Sequence, residues 1–99
     1  IRFMENPKKL EEIIRSAKPT LQRDYGIEKI GYFGSFARGD FDADSDIDIL
    51  VSFSRKVGWK FFDLKDYLES ILGRTVDLVT ERSIKKRWKE SILKQVRYI

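Results

Sequence analysis

The sequence predicts an α/β (α+β) chain in which a small mixed β-sheet carries packed helices. Two observations predict it. Helical apolar stripes alternate with short runs of β-branched and aromatic residues along the chain. The composition, 41% hydrophobic and 13% aromatic over 99 residues, suits one globular domain spanning 1–99 with a thin core.

The elements follow in order. Asn6 before Pro7 reads as an N-cap with proline in the first helical position. Leu10, Ile13, Ile14 and Ala17 form the stripe of that first helix. Pro19 is expected to break or kink it, or to start a second short helix carrying Leu21, and Gly26 to stop it. Met4 is the only methionine, and the three residues before it carry no weight here. Ile27 to Phe33 reads as a strand, Ser35 to Arg38 as a helical turn, and Gly39 to Ser45 as a polar loop. Asp46 to Phe53 is the strongest strand, with Ile47, Ile49 and Val51 on one face.

A helix over Gly58 to Leu72 is expected to bury Phe61, Phe62, Leu64, Leu68, Ile71 and Leu72, and Gly73 to end it. Thr75 to Val79 reads as a third strand. Thr80 is expected to cap a last amphipathic helix with the stripe Ile84, Trp88, Ile92, Val96 and Ile99. Trp59, Phe61 and Phe62 read as core or partner surface rather than a platform for stacking bases.

Several chemistries are excluded by composition. Without cysteine there is no disulfide, thiolate metal site or thiol nucleophile. Without histidine there is no serine–histidine triad and no imidazole acid–base catalysis. No apolar run approaches the ~20 residues of a membrane span, and no secretory signal is evident. A cytoplasmic address is the expectation.

Charge is unevenly placed. The net charge is +4, yet Asp40, Asp42, Asp44, Asp46 and Asp48 crowd into one short segment. An acidic focus in a basic body suits a site where cations meet polyanionic phosphate. The basic C-terminal segment, with Arg82, Lys85, Lys86, Arg87 and Lys89 around Trp88, reads mainly as a solvated helix face. Nucleic-acid binding rests on charge alone and is not favoured.

Asp46 and Asp48 stand two apart on a predicted strand, so both project from the face opposite Ile47 and Ile49. Paired carboxylates repel unless a cation bridges them or one takes a proton. Hard oxygen donors on a fixed backbone suit Mg²⁺. Asp77 joins the same face as a third ligand if its strand lies alongside. Three such acids can hold two ions ~3.5–4 Å apart, the arrangement used for in-line displacement at phosphorus. Gly34 permits a tight turn and close backbone approach, and Ser35 with the free amides of a helix start can meet phosphate oxygens. Arg38 either contacts phosphate or braces the loop.

The combined run, Phe33-Gly34-Ser35-Phe36-Ala37-Arg38-Gly39 followed by Ser45-Asp46-Ile47-Asp48-Ile49-Leu50-Val51 with Asp77 later, is far more specific than its parts. It resembles the minimal nucleotidyltransferase (MNT) family of the DNA polymerase β-like superfamily over nearly the whole chain. The resemblance implies the polymerase β-like fold. It implies Gly34 and Ser35 as triphosphate binders, Asp46 and Asp48 as metal ligands, and Asp77 as third acid or as base for the acceptor hydroxyl. It further implies Mg²⁺ as cofactor, ATP as AMP donor, and an antitoxin acting on a tyrosine of a HEPN toxin partner. The acceptor surface is expected from that partner or from a second copy of the chain. Competing readings are an antitoxin that neutralises its partner by covering it, and an enzyme that adenylylates a small molecule.

Overall fold

Four strands make one mixed sheet in the order β3-β2-β1-β4 in the computed structural model, which describes residues 6–99. Met4 and the residues before it lie outside the described residues. The elements are α1 (Pro7–Tyr25), β1 (Ile27–Phe33), α2 (Ser35–Arg38), β2 (Ile47–Phe53), α3 (Lys60–Leu72), β3 (Val76–Thr80), a 3₁₀ turn (Glu81–Ser83), α4 (Lys86–Gln95) and β4 (Arg97–Tyr98). β1 and β2 run antiparallel, β2 and β3 parallel, and β4 antiparallel to β1.

Local chemistry sets most of the boundaries. The Asn6 carboxamide accepts a hydrogen bond from the Lys9 amide at 2.8 Å, and Pro7 starts the helix where an amide proton would have no partner. Gly26 closes α1 in the left-handed conformation, its amide reaching back to the Gln22 carbonyl. Gly73 ends α3 in the same way.

Of the outcomes expected at Pro19, neither a break nor a second short helix occurs: the helix continues to Tyr25 as one element. Leu10 and Ile14 before the proline and Leu21 after it are all buried in the same core. Packing along both halves outweighs one lost backbone hydrogen bond.

That core lies between α1, α3 and one face of the sheet. Leu64, Leu68 and Leu72 of α3 meet Ile30, Tyr32, Ile47, Ile49, Val51, Val76 and Leu78. The buried Tyr32 phenol donates to the Glu11 carboxylate of α1 at 2.5 Å, pinning helix to sheet. Burial, reinforced by Glu11, pushes its pKa up to about 12.

Phe62 was expected inside but is 57% exposed. It sits two positions from Leu64, roughly 200° around a helix whose inward stripe is Leu64-Leu68-Leu72. Phe61 and Ile71 are only partly buried. Trp59, at 85% exposure, is surface rather than core.

The C-terminal segment departs furthest from expectation. Thr80 caps the 3₁₀ turn through the Ser83 amide rather than capping a long helix. Ile84 is extended, and α4 begins only at Lys86. Lys85, Lys86, Arg87 and Lys89 crowd its start, where the helix dipole disfavours positive charge. None of its residues is buried, and Trp88 is 53% exposed. Arg97 and Tyr98 then form β4, an unanticipated strand that covers the outer edge of β1.

Replacing Pro19 with alanine restores the amide that α1 lacks. Pro19→Ala is expected to raise unfolding stability in urea by up to about 3 kcal/mol. A lower midpoint would mean the ring stabilises this turn.

Candidate active site

The parallel pairing of β2 and β3 puts Asp48 directly beside Asp77. Residues in register on neighbouring strands project from the same face, and their side chains meet. Their carboxyl groups come near enough to hydrogen-bond when one of them is protonated. Burial first, then the charge of Asp77, that hydrogen bond and the charge of Asp46 push the Asp48 carboxyl up to about 6, with Arg38 pulling weakly the other way.

Asp46 stands immediately before β2 rather than within it, and is exposed. Its position therefore follows from the loop as well as from strand alternation. It remains near enough to act on Asp48 electrostatically.

Gly34 backs directly onto Asp48. Its φ of +70° and ψ of −144° are glycine's territory, and a β-carbon there would drive into the Asp48 carboxylate. The bend between β1 and α2 can therefore touch the acid strand only because it carries no side chain. Ser35 opens α2, and its hydroxyl makes no hydrogen bond among the described residues. Arg38 pairs with Asp40 at 3.2 Å. It braces the loop while standing close enough to influence Asp48.

The other acids of the run hold the loop together. Asp42 accepts from the Asp44 amide at 2.9 Å and from the Ser45 hydroxyl at 3.1 Å. These bonds, the Asp44 amide first, hold its carboxyl below the ordinary range.

Arg74 was not singled out from the sequence. It donates to the Ser45 carbonyl at 2.7 Å and to the Asp42 carbonyl, and its guanidinium lies over the Phe36 ring at 5.0 Å. One cation thus ties α2, the loop and the start of β3 together. Its only sequence signal is its place between the Gly73 helix stop and the acid-bearing strand.

Among the described residues no three acids draw together into a ready-made metal cage. The donor set nevertheless fits a hard divalent cation. Asp48 and Asp77 offer neighbouring carboxylates, and the raised pKa of Asp48 marks a surplus of negative charge. Mg²⁺ is commonly held by one or two carboxylates plus substrate phosphates.

A glycine–serine bend against paired strand carboxylates, on a mixed sheet backed by two helices, defines a nucleotidyl-transferring class of protein. The nucleotidyltransferase domain model matches residues 7–99, and the chain belongs to that family. It is similar to the protein adenylyltransferase MntA of Thermococcus cleftensis, 41% identical over 91 residues that cover 91% of this chain and 92% of the relative. A solved minimal nucleotidyltransferase superposes with a TM-score of 0.77 at 35% identity, covering 94% of this chain and 95% of the other. The MNT antitoxin in a complex with the tri-AMPylated HEPN toxin of Shewanella oneidensis superposes with a TM-score of 0.63 at 25% identity, over 90% of this chain and 70% of that one.

Two outcomes test this geometry. Gly34→Ala is expected to cost about 1–3 kcal/mol in chemical denaturation through backbone strain and collision with Asp48; unchanged stability would separate the bend from the acid pair. The Asp48 carboxyl has its pKa raised from 3.8 to about 6, so its contribution to stability is full below about pH 4 and is lost as pH rises through 6. Asp48→Asn mimics the protonated form at every pH. In chelator it is expected to melt higher at pH 7.5, by roughly 1 kcal/mol once solvent screening of a half-buried group is allowed for, with the gain gone by pH 4. A lower melting temperature at pH 7.5 would contradict the charge surplus.

Proposed function

We propose that this single-domain chain is a Mg²⁺-dependent protein adenylyltransferase that moves AMP from ATP to a tyrosine hydroxyl of a HEPN toxin and thereby acts as its antitoxin. The observation that carries the reading is the in-register pair of Asp48 and Asp77, with Asp48 set against the Gly34 bend. The relatives named above supply the partner class: one is a protein adenylyltransferase, another an MNT antitoxin bound to a tri-AMPylated HEPN toxin.

Each residue then has a task. The Gly34 and Ser35 amides and the Ser35 hydroxyl take the triphosphate oxygens, and Arg38 adds positive charge at the mouth of the site. Asp46 and Asp48, with Asp77, would hold two Mg²⁺ ions, which would acidify the acceptor hydroxyl and neutralise charge on the leaving pyrophosphate. The tyrosine oxygen attacks the α-phosphorus, the bond to the bridging oxygen breaks, and pyrophosphate departs. Asp77 receives the hydroxyl proton. Positioning by the sheet and the Arg74-braced loop supplies the alignment such a displacement needs.

Below about pH 6 a cation must displace the proton on Asp48. Affinity for Mg²⁺ is therefore expected to fall as pH drops through about 6.

The deciding experiment supplies α-labelled ATP to the chain with its HEPN partner. Asp46→Ala and Asp48→Ala are each expected to lower labelling of the partner by at least about 100-fold while circular dichroism stays native. Full labelling by either variant would remove that residue from the site. Neutralisation of the toxin by an unlabelling variant would instead favour an antitoxin that works by coverage.

A further inference from the structure

Asp48 lies in β2 and Asp77 in β3, whereas Asp46 precedes β2, so strand alternation does not by itself aim its carboxylate. Its backbone is nevertheless held on both sides by two consecutive residues just before β3. The Ser45 carbonyl, on the peptide that also carries the Asp46 amide, accepts from Arg74 Nε at 2.7 Å. The Ile47 amide, on the peptide that also carries the Asp46 carbonyl, donates to the Thr75 carbonyl at 2.9 Å. Both peptide planes that flank the Asp46 α-carbon are thus anchored, and with them the direction its side chain leaves the backbone.

Of the two anchors, the Thr75 carbonyl belongs to the backbone and Arg74 is a side chain that must itself be aimed. Its guanidinium lies over the ring of Phe36, a residue buried to 1% exposure, at 5.0 Å. A fixed ring beneath the guanidinium plane, together with the Asp42 carbonyl as another acceptor, orients the planar fork toward Ser45. Phe36 directly follows Ser35, so one side chain links the phosphate-binding bend to the backbone of Asp46. Its charge cannot be what serves the site. A guanidinium one peptide away from a cation ligand repels the cation, so Arg74 helps through geometry or not at all.

We propose that Arg74 is a positioning residue: by holding the Ser45–Asp46 peptide against Phe36, it turns the Asp46 carboxylate toward the divalent cation that Asp48 and Asp77 also face. This role rests on the catalytic reading above and deepens it. Arg74 touches neither substrate nor cation, and acts through Asp46 alone.

Calorimetric titration of Mg²⁺ into the full chain, without nucleotide, separates geometry from charge because the two predict opposite signs. Arg74→Gln removes the charge and the fork, and is expected to weaken Mg²⁺ binding by about tenfold. Arg74→Lys keeps the charge but not the planar fork, and is expected to weaken it by about threefold or more; it carries the comparison if Arg74→Gln is not native by circular dichroism. In an Asp46→Asn background, the same Arg74 substitutions are expected to change Mg²⁺ affinity by less than about twofold, since the carboxylate they misplace is already gone. In the metal-free chain, amide hydrogen exchange at Ser45 and Ile47 is expected to quicken at least about fivefold, with Ile49 and Val51 within about twofold. Mg²⁺ affinity that is unchanged or raised in both Arg74 variants would overturn the role. So would a further large loss in the Asp46→Asn background, or exchange that quickens equally along β2, since either means general loosening. A wild-type chain that binds no Mg²⁺ would sink the catalytic reading and this role with it, an outcome distinct from wild-type binding that ignores Arg74.

Discussion

Two carboxylates held side by side on neighbouring parallel strands are the constraint around which this molecule is arranged. Asp48 and Asp77 face each other because β2 and β3 are in register, and the pairing is energetically uphill unless a proton or a cation intervenes. A sheet tolerates such a pair only where the strands are fixed by other interactions. Here Ile47 and Ile49 on one side and Val76 and Leu78 on the other are buried on the opposite face, so core packing holds the acids together against their repulsion. Repulsion at the site and burial beneath it are two consequences of the same alternation.

The approach to that pair depends on an absence. Gly34 has no side chain and adopts a backbone conformation closed to other residues, so the bend can lie against Asp48. The loop that follows would be free to wander on its own. Arg74 prevents this by gripping two of its carbonyls while lying over Phe36, which itself stacks on Phe41 at 4.3 Å between ring centroids. Asp42 and Ser45 close the loop from inside. A site at the edge of the sheet is thereby given the rigidity expected of groups that must align a phosphorus centre. The acidic run divides its labour accordingly: Asp40 and Asp42 hold the loop, whereas Asp46 and Asp48 face the open side.

Several elements were legible because their causes are local. Asn6 and Pro7 start α1, and Gly26 and Gly73 end helices, through hydrogen bonds within a few residues. β1 came out at the bounds read from its run of strand formers, and β2 within one residue of them. Elsewhere distant packing overrode the local signal. Pro19 failed to break α1 because residues on both sides of it are buried against the same sheet. The last helix was read as longer than it is, because an apolar stripe does not reveal that β1 has a free edge for Arg97 and Tyr98 to cover. Phe62 and Trp88 show the same limit: each fits a helical pattern, yet neither has core to meet.

The order of the chemistry was written into the chain itself: a glycine–serine bend, a spacer, two acids with one residue between them, and a later acid on a strand. Residue type and spacing determine these, since alternation and turn geometry act over a few positions. Which strands become neighbours is a different matter. The register that sets Asp77 against Asp48 and the reach of Arg74 across the loop both join residues far apart in sequence. Such contacts exist only after the chain has closed on its core, and the folded sheet alone decides them.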